Sequence, residues 1–305
     1  MEKVKKERTS REKSFLIIAA LYVVAIFMIV LIPPILYYYA FGNPDSLWLG
    51  LVSLLIGDVV ATLFVWGMGL VFKNSSVYDP YWSVMPPFMA ITAMILAGSF
   101  DAINLAAFAI VIIWAVRLTY NWSLTWKDFS EEDWRYADMR KNHKTWFVAN
   151  LFGVNIMPTF LVFFGMLPLL VMALEHATFN WFMLIGAVIS IGAICLETVA
   201  DWQLRNFKKS SSASAVCNKG LWKLSRHPNY LGEILFWWGL YFIQLAILPS
   251  FWWTVVGPVF ITLLFVFASI PMAEKNLASK TDYADYKKST SMLIPLPKRK
   301  DKNSK

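Results

Sequence analysis

The chain has 305 residues, of which 58% are hydrophobic and 16% are charged, and its formal net charge is +8. Soluble domains carry roughly 25% charged residues, so this composition excludes an ordinary soluble domain. The basic residues are spread over several segments that flank apolar stretches. Because they do not form one stripe, the sequence argues against a nucleic-acid-binding protein.

Apolar stretches recur from end to end and predict an all-α, polytopic transmembrane helical bundle of seven or eight spans. They lie at about 15–40, 47–72, 84–98, 103–122, 147–174, 179–204, 230–248 and 251–272. The third stretch is short enough for a tilted or re-entrant segment. The pair Pro33-Pro34 predicts a kink in the first span.

The distribution of Lys and Arg predicts the orientation of these spans. The connections 41–46, 99–102, 175–178 and 249–250 contain no Lys or Arg. By the positive-inside rule, both termini and the basic segments between spans are then expected to be cytoplasmic. The expected location is a bacterial plasma membrane or the endoplasmic reticulum, and contact with anionic lipid is a secondary expectation.

Several kinds of site are not indicated. Two cysteines, Cys195 and Cys217, exclude a disulfide framework and lack metal-ligand spacing. The three histidines, His143, His176 and His227, are far apart, so no histidine-box metal centre is predicted. The chain has neither a Gly-x-Gly-x-x-Gly nor a P-loop sequence, so a Rossmann or Walker nucleotide site is not indicated.

The segment Gly220–Glu233, with the sequence GLWKLSRHPNYLGE, concentrates polar side chains directly before an apolar stretch. Polar groups at such a position are costly unless they bind something, so the segment predicts a ligand site. Arg226 is suited to phosphate and His227 to phosphate or a proton relay. Asn229 matches an amide such as a nicotinamide carboxamide, and Tyr230 supplies a ring and a hydroxyl.

The backbone of the same segment favours a helix start. Pro228 suits the first turn of a new helix, and a helix start favours an anion. Gly232 permits a close approach of another backbone, and Glu233 follows it one residue later.

The sixth span ends in a polar stripe. Glu197, Asp201 and Arg205 are spaced four residues apart and share one helix face. Acids this far inside a span predict a partner or a ligand. The alternative is an Asp–Arg ion pair that only terminates the helix. In the second span, Asp58 is a lone acid, predicted either to bind substrate or to be a hydrogen-bonded structural residue.

Two loops remain open to two interpretations. The loop 117–146, which begins at Arg117, mixes charged and aromatic residues and predicts either a cap over a pocket or an interfacial aromatic belt. The loop 77–86 contains an Asp-Pro turn signal, and its Tyr and Trp residues fit belt positions or ligand contacts equally well.

Four sequence blocks and the C-terminal ending resemble the DUF1295 membrane proteins of the steroid 5-alpha-reductase superfamily. The blocks are DPYWSVMP at 79–86, EDWRYADMR at 132–140, ADWQLRNFK at 200–208 and GLWKLSRHPNYLGE at 220–233. The ending runs from Pro271 and Glu274 through Tyr283 and Tyr286 to Lys298. The last two blocks and the ending are shared more widely with steroid and sterol reductases.

The resemblance implies an NADPH-dependent reductase of a carbon–carbon double bond conjugated to a carbonyl, acting on a lipophilic, steroid- or isoprenoid-like substrate. It implies cofactor-binding roles for Asp201, Arg205, Asn229 and Glu233, and Arg226, His227 and Tyr230 belong to the same motif. Glu197, which shares a helix face with Asp201, and Arg117 are the other candidate cofactor residues. The expected organisation is a cytoplasmic tail at 1–14, substrate-side helices at 15–122, a cytoplasmic loop at 123–146, a cofactor-binding membrane region at 147–298 and a basic tail at 299–305.

The chain departs from true steroid 5-alpha-reductases in its candidate proton donor. Those enzymes pair a Gln-Glu on the second span with a Tyr on a later span. Here the second span offers Asp58, and the position nearest the later Tyr holds Trp114, with Tyr120 two turns on. The candidate catalytic residues are therefore Asp58, Tyr120 and Tyr230.

Two other functions remain open at this point. Isoprenylcysteine carboxyl methyltransferases share an Arg-His-Pro-x-Tyr motif and a similar tail, but use S-adenosylmethionine. The blocks at 132–140 and 200–208 favour the reductase over this alternative. A non-catalytic membrane sensor or scaffold that retains the pocket is the third interpretation.

Overall fold

The computed structural model describes residues 2–42, 45–142, 145–212 and 214–296, which form helices and loops with no β-strand. Eight helices in this described part are long and apolar enough to cross a membrane. The predicted all-α, multi-span class is therefore confirmed. His143 and the predicted tail at 299–305 lie outside the described residues.

The N-terminal unit covers Met1–Phe179. Its helices are α1 (Glu2–Pro34), α2 (Leu47–Val71), α3 (Tyr81–Ala97), α4 (Ala102–Thr125), α5 (Trp134–Asn142), α6 (Trp146–Ala149) and α7 (Met157–Leu174). Helix α1 packs on α2 and α3, and α3 packs on α4 and α7. The core of the unit is filled by fully buried aliphatic and thioether side chains, among them Ile29, Leu54, Met89, Met166 and Leu170.

Local sequence explains the ends of these helices. Ser46 accepts a hydrogen bond from the backbone of Leu49 at the start of α2, and Asp101 accepts from Ile103 at the start of α4. Both are preferred N-cap residues. After Pro33-Pro34 the first helix continues as a π-helical segment, Ile35–Ala40, because proline removes donors from the regular ladder.

The third span begins earlier than the sequence predicted. A 3₁₀ turn at Ser75–Tyr78 leads into α3, so that the apolar helical segment covers Ser75–Ala97 and is not short. Tyr78 and Tyr81 read as loop residues in the sequence, yet both are buried in the unit. Their hydroxyls find partners on α2 and α7, which lets this polar stretch join the helix.

The C-terminal unit covers Asn180–Lys305. It contains α8 (Met183–Ser210), α9 (Pro228–Ile247), α10 (Val256–Leu264), α11 (Ile270–Leu277) and α12 (Tyr283–Ser289). A 3₁₀ segment, Pro249–Val255, precedes α10, and a π-helical segment, Phe265–Ser269, joins α10 to α11. Helices α8 and α9 pack against each other along their lengths, and α9 also contacts α10.

Glycine makes the close packing of α8 and α9 possible. A Cβ placed on Gly232 would lie 2.8 Å from Glu197 Cβ and 2.9 Å from the carbonyl oxygen of Ala193. Gly186 of α8 is packed as tightly against the backbone of α9. Small residues at such contacts are typical of helix pairs in membranes. The close backbone approach predicted at Gly232 is therefore confirmed.

Candidate functional site

Asp201 and Asn229 meet across the interface between α8 and α9. The Nδ2 atom of Asn229 donates to Oδ1 of Asp201 over 3.3 Å. The Oδ1 atom of Asn229 is buried and has no hydrogen-bond partner among the described residues. Because a buried acceptor without a donor is costly, this carboxamide is suited to a ligand that brings an N–H or O–H group.

Two further acids flank this contact. Glu197 lies one turn before Asp201 on α8 and touches Gly232 of α9. Glu233 of α9 is buried, and its Oε1 accepts a hydrogen bond from Trp237 Nε1 over 2.9 Å. We call the Asp201–Asn229 contact and the acids one helical turn from each of its members the α8–α9 polar cluster: Glu197, Asp201, Asn229 and Glu233.

The segment before α9 is fastened to the end of α8. Gly220 has φ +56°, and a Cβ there would clash with the side chain of Gln203. Gln203 Oε1 accepts from the backbone of Leu221 over 2.9 Å, and Trp222 Nε1 donates to the carbonyl of Ala200 over 2.9 Å. These bonds fix where α9 begins and hence where Asn229 lies.

Arg226 is held inside the unit. Its Nε and Nη2 atoms donate to Glu274 Oε1 over 2.8 and 2.6 Å, and its Nη1 donates to the carbonyls of Lys287 and Thr290. Lys287 Nζ lies 2.9 Å from the other oxygen of Glu274. The guanidinium is therefore engaged by the C-terminal segment, which favours a role in positioning that segment.

His227 and Tyr230 form an aromatic pair beside the polar cluster. Their rings stack with a centroid distance of 5.3 Å, and Tyr230 also contacts Phe265. Burial lowers the pKa of His227 to about 4, although Glu274, 3.5 Å away, opposes the shift. The imidazole is consequently neutral at pH 7, and its buried Nε2 is the atom that lies 3.5 Å from Glu274 Oε1.

The C-terminal segment lies directly against the start of α9. The backbone of Arg226 donates to the carbonyl of Ser291, and Ser225 Oγ donates to the carbonyl of Leu293 over 2.7 Å. Tyr286 donates to the carbonyl of Trp222 over 2.6 Å. Two blocks that are distant in sequence therefore form one structural element.

Two further cationic residues, Arg205 and Arg117, were predicted to bind the cofactor. Arg205 lies one turn after Asp201 on α8 and is half-buried. Arg117 lies on α4 of the N-terminal unit and is also half-buried. Their assignment to a cofactor remains a prediction.

In the N-terminal unit, Asp58 belongs to a buried hydrogen-bond network. It is 1% exposed, and the hydroxyl of Tyr81 lies 2.7 Å from its Oδ1. The ring of Tyr78 stacks on that of Tyr81 at 4.9 Å, and the Tyr78 hydroxyl contacts Thr159 Oγ1 over 2.7 Å. Asp58 is therefore hydrogen-bonded, and Tyr81 is its partner.

The two sequence blocks at 79–86 and 132–140 contact each other in this unit. The hydroxyl of Tyr136 donates to Asp79 Oδ1 over 2.7 Å. Glu132 Oε1 accepts from the backbone of Ser75 and from Arg140, both over 2.7 Å. The loop after α4 is thus folded against the loop before α3.

Helices α3 and α4 border an apolar cavity of about 460 Å³. Tyr120 lines this cavity and is 60% exposed. Polar groups in the lining come from hydroxyl residues, including a Ser83–Thr119 pair at 2.8 Å. Of the three predicted catalytic residues, Tyr120 therefore adjoins an apolar space, Asp58 is enclosed, and Tyr230 belongs to the C-terminal unit.

Two residues of these sites were not predicted from the sequence. Tyr81 is the partner of Asp58. Its position directly after an Asp-Pro turn was the only feature of the sequence that pointed to it. Glu274 was noted as part of the C-terminal block, but nothing in the local sequence indicated that it pairs with Arg226. Among the described residues, no group of three or more His, Cys, Asp or Glu side chains could hold a metal ion.

The fold and these clusters define a multi-pass helical membrane protein with a polar cluster on one helix pair. Residues 65–290 match the family described as "Protein of unknown function (DUF1295)", and the chain belongs to this family. It is also 23% identical over 234 residues to "Uncharacterized protein C594.04c" of Schizosaccharomyces pombe. That alignment covers 67% of this chain and 65% of the relative, so the chain spans less than two thirds of its length. No solved structure matches the chain.

Proposed function

We propose that this protein is an integral-membrane reductase that uses NADPH to reduce a carbon–carbon double bond conjugated to a carbonyl in a lipophilic substrate. The observation that carries the proposal is the Asn229 carboxamide in the α8–α9 polar cluster. Its Nδ2 is anchored on Asp201, and its buried Oδ1 lacks a donor among the described residues. A nicotinamide carboxamide has N–H groups that could donate to this oxygen.

The rest of the cluster is consistent with a dinucleotide. The carboxylates of Glu197 and Asp201 are acceptors of the kind that bind ribose hydroxyls. The stacked rings of His227 and Tyr230 offer an aromatic surface, and the neutral imidazole adds no charge next to a nicotinamide. Arg205 is the proposed phosphate contact, because Arg226 is engaged by Glu274.

We assign the lipophilic substrate to the N-terminal unit. The cavity between α3 and α4 is lined mainly by apolar side chains, as a lipid-like molecule requires. Tyr120 is the proposed proton donor, because its hydroxyl belongs to the cavity lining. The Asp58–Tyr81 pair is buried and would support the contact between α2 and α3. These assignments follow from the resemblance to the steroid 5-alpha-reductase superfamily noted in the sequence.

The division of chemical work follows from these residues. When bound, NADPH supplies the hydride. The protein binds and orients the two molecules, and a hydroxyl such as that of Tyr120 would stabilise the negative charge that develops on the carbonyl oxygen. The cytoplasmic orientation predicted for the C-terminal segment would give the cluster access to a cytoplasmic cofactor.

A ligand titration tests this proposal. The purified protein in detergent is heated with increasing NADPH or S-adenosylmethionine, and the unfolding temperature is measured. A ligand at a hundred times its Kd stabilises the folded state by about 2.7 kcal/mol, so NADPH is expected to raise the unfolding temperature. Stabilisation by S-adenosylmethionine alone would identify a methyltransferase instead. No response to either ligand would favour the sensor or scaffold.

A further inference from the structure

We propose that the C-terminal segment carries a second site, separate from the α8–α9 polar cluster, that binds the phosphate group of an anionic membrane phospholipid. The site is a cavity of about 280 Å³ inside the C-terminal unit. The residues of its lining that carry the argument are Arg226, Lys287, Lys288, Thr290, Met292 and Leu296.

The charge of this cavity matches one anion. Arg226, Lys287 and Lys288 supply three positive charges to its lining. Glu274 pairs with Arg226 and Lys287, and Asp285 lies 3.5 Å from Lys288. Two negative charges thus offset two of the three positive ones, and one positive charge remains for a phosphate.

The end of helix α12 would otherwise repel an anion. Carbonyl groups at a helix C-terminus carry partial negative charge. Here the carbonyls of Lys287 and Thr290 accept hydrogen bonds from Arg226 Nη1 over 3.2 and 2.5 Å. Because Arg226 covers these carbonyls, the cavity keeps its positive character.

A buried hydroxyl provides the second, independent sign of a ligand. Thr290 is 4% exposed, and its Oγ1 has no hydrogen-bond partner among the described residues. A hydroxyl buried in this way costs free energy unless a partner is supplied. A phosphate oxygen is a strong acceptor and would satisfy it.

The surroundings of the cavity favour a lipid as the source of the phosphate. Lys287 and Lys288 have side chains that are 54% and 78% exposed, and Met292 and Leu296 place apolar groups beside them. Exposed cations next to exposed apolar groups suit a headgroup at the membrane surface. A free nucleotide phosphate would make no contact that requires the apolar side chains of Met292 and Leu296.

Short-chain phospholipids test this inference in the full-length protein. Dioctanoyl phosphatidic acid and dioctanoyl phosphatidylcholine are titrated against the protein in detergent, and binding is read from the change in tryptophan fluorescence. Phosphatidic acid is expected to bind more tightly. Lys287→Gln with Lys288→Gln should weaken its binding by roughly tenfold, because basic residues near the surface attract anionic lipid. The matched control, Lys208→Gln with Lys209→Gln, removes two exposed lysines from the end of α8 and should change affinity less than about twofold.

Thr290→Val separates a binding role from a structural one. Because the hydroxyl has no partner in the described protein, the unfolding temperature without lipid should stay the same or rise. Affinity for phosphatidic acid should nevertheless fall roughly threefold, because a hydrogen bond to the phosphate is lost. Unchanged affinity in both the Thr290 variant and the double lysine variant would overturn the site.

A nucleotide titration distinguishes the two sources of phosphate. NADPH and NADH are titrated against the double lysine variant. If the double lysine variant binds NADPH and NADH as tightly as the unsubstituted protein does, the lipid assignment is supported. A loss of NADPH binding without a loss of NADH or phosphatidic acid binding would assign the cavity to the 2′-phosphate of the nucleotide and overturn the lipid assignment. Failure of NADPH to bind the unsubstituted protein would count against the proposed reductase alone, because the lipid titration contains no nucleotide.

Discussion

Gly232→Ala is expected to destabilise the C-terminal unit by about 1–3 kcal/mol, the usual cost of overpacking a close contact. The added Cβ would lie 2.8 Å from Glu197 Cβ, 2.9 Å from the Ala193 carbonyl oxygen and 3.1 Å from the Glu197 amide nitrogen. Two of these three neighbours are backbone atoms, so they cannot rotate away. Helix α9 would have to move off α8 at the position of the α8–α9 polar cluster. The contact between Asn229 and Asp201, already 3.3 Å long, would then be lost.

Gly192→Ala is the matched control for this change. Gly192 is also a helical glycine of the same helix pair, but a Cβ there meets no atom within 4 Å. Alanine is favoured over glycine in a helix by about 0.8–1.0 kcal/mol, so this variant should be neutral or slightly more stable.

Unfolding of the C-terminal unit can be followed by the chemical labelling of its buried cysteine, Cys217. The chain has two cysteines, of which Cys195 is exposed and Cys217 is buried. In a Cys195→Ser background, a thiol-reactive dye therefore labels Cys217 only as the surrounding structure opens. Equal labelling temperatures for the Gly232 and Gly192 variants would mean that α8 and α9 are not in the close contact described.

Glu274→Gln is expected to destabilise the same unit by about 3 kcal/mol, because it leaves the buried Arg226 guanidinium without its countercharge. The substitution keeps the shape of the side chain and one acceptor oxygen, but it removes the charge and replaces the other oxygen with an NH2 group. Arg226 and Glu274 have side chains that are 8% and 12% exposed, so solvent screens their interaction weakly. Lys287, which also contacts Glu274, would add to the uncompensated positive charge.

Glu131→Gln is the control for an exposed ion pair. Glu131 pairs with Lys127 at 2.7 Å, but both side chains are more than half exposed. Exposed pairs contribute roughly 0–1 kcal/mol, so this variant should unfold at nearly the temperature of the unsubstituted protein. If Glu274→Gln shifts the Cys217 labelling temperature no more than Glu131→Gln does, the Arg226–Glu274 pair does not anchor the C-terminal segment.

The helical class could be predicted because it depends on long apolar runs, which a membrane span requires. The close helix contact at Gly232 could also be predicted from the local sequence, because only a residue without a side chain fits so close a backbone contact. The spacing of Glu197 and Asp201 placed both acids on one helix face. The structure then brings Asp201 within hydrogen-bond distance of Asn229. Their role in binding a ligand stays a prediction.

The start of the third span could not be predicted, because its partners are distant in sequence. Tyr78 and Asp79 look like loop residues until Thr159 and Tyr136 are placed next to them. Arg226 shows the same limit. Its residue type suggested phosphate binding, but Glu274, 48 residues further on, occupies its guanidinium. Local sequence reveals which groups need partners, and only the fold decides which partners they find.

Calorimetric titration of NADPH against Asn229→Ala tests most directly the proposal that the α8–α9 polar cluster binds NADPH through Asn229. Asn206→Ala is the matched control, because Asn206 is an exposed asparagine of α8. Asn229→Ala should weaken NADPH binding by roughly tenfold, since a buried hydrogen bond to the carboxamide contributes about 1–1.5 kcal/mol. Asn206→Ala should bind NADPH as the unsubstituted protein does. Equal NADPH affinities for Asn229→Ala and Asn206→Ala would contradict the account.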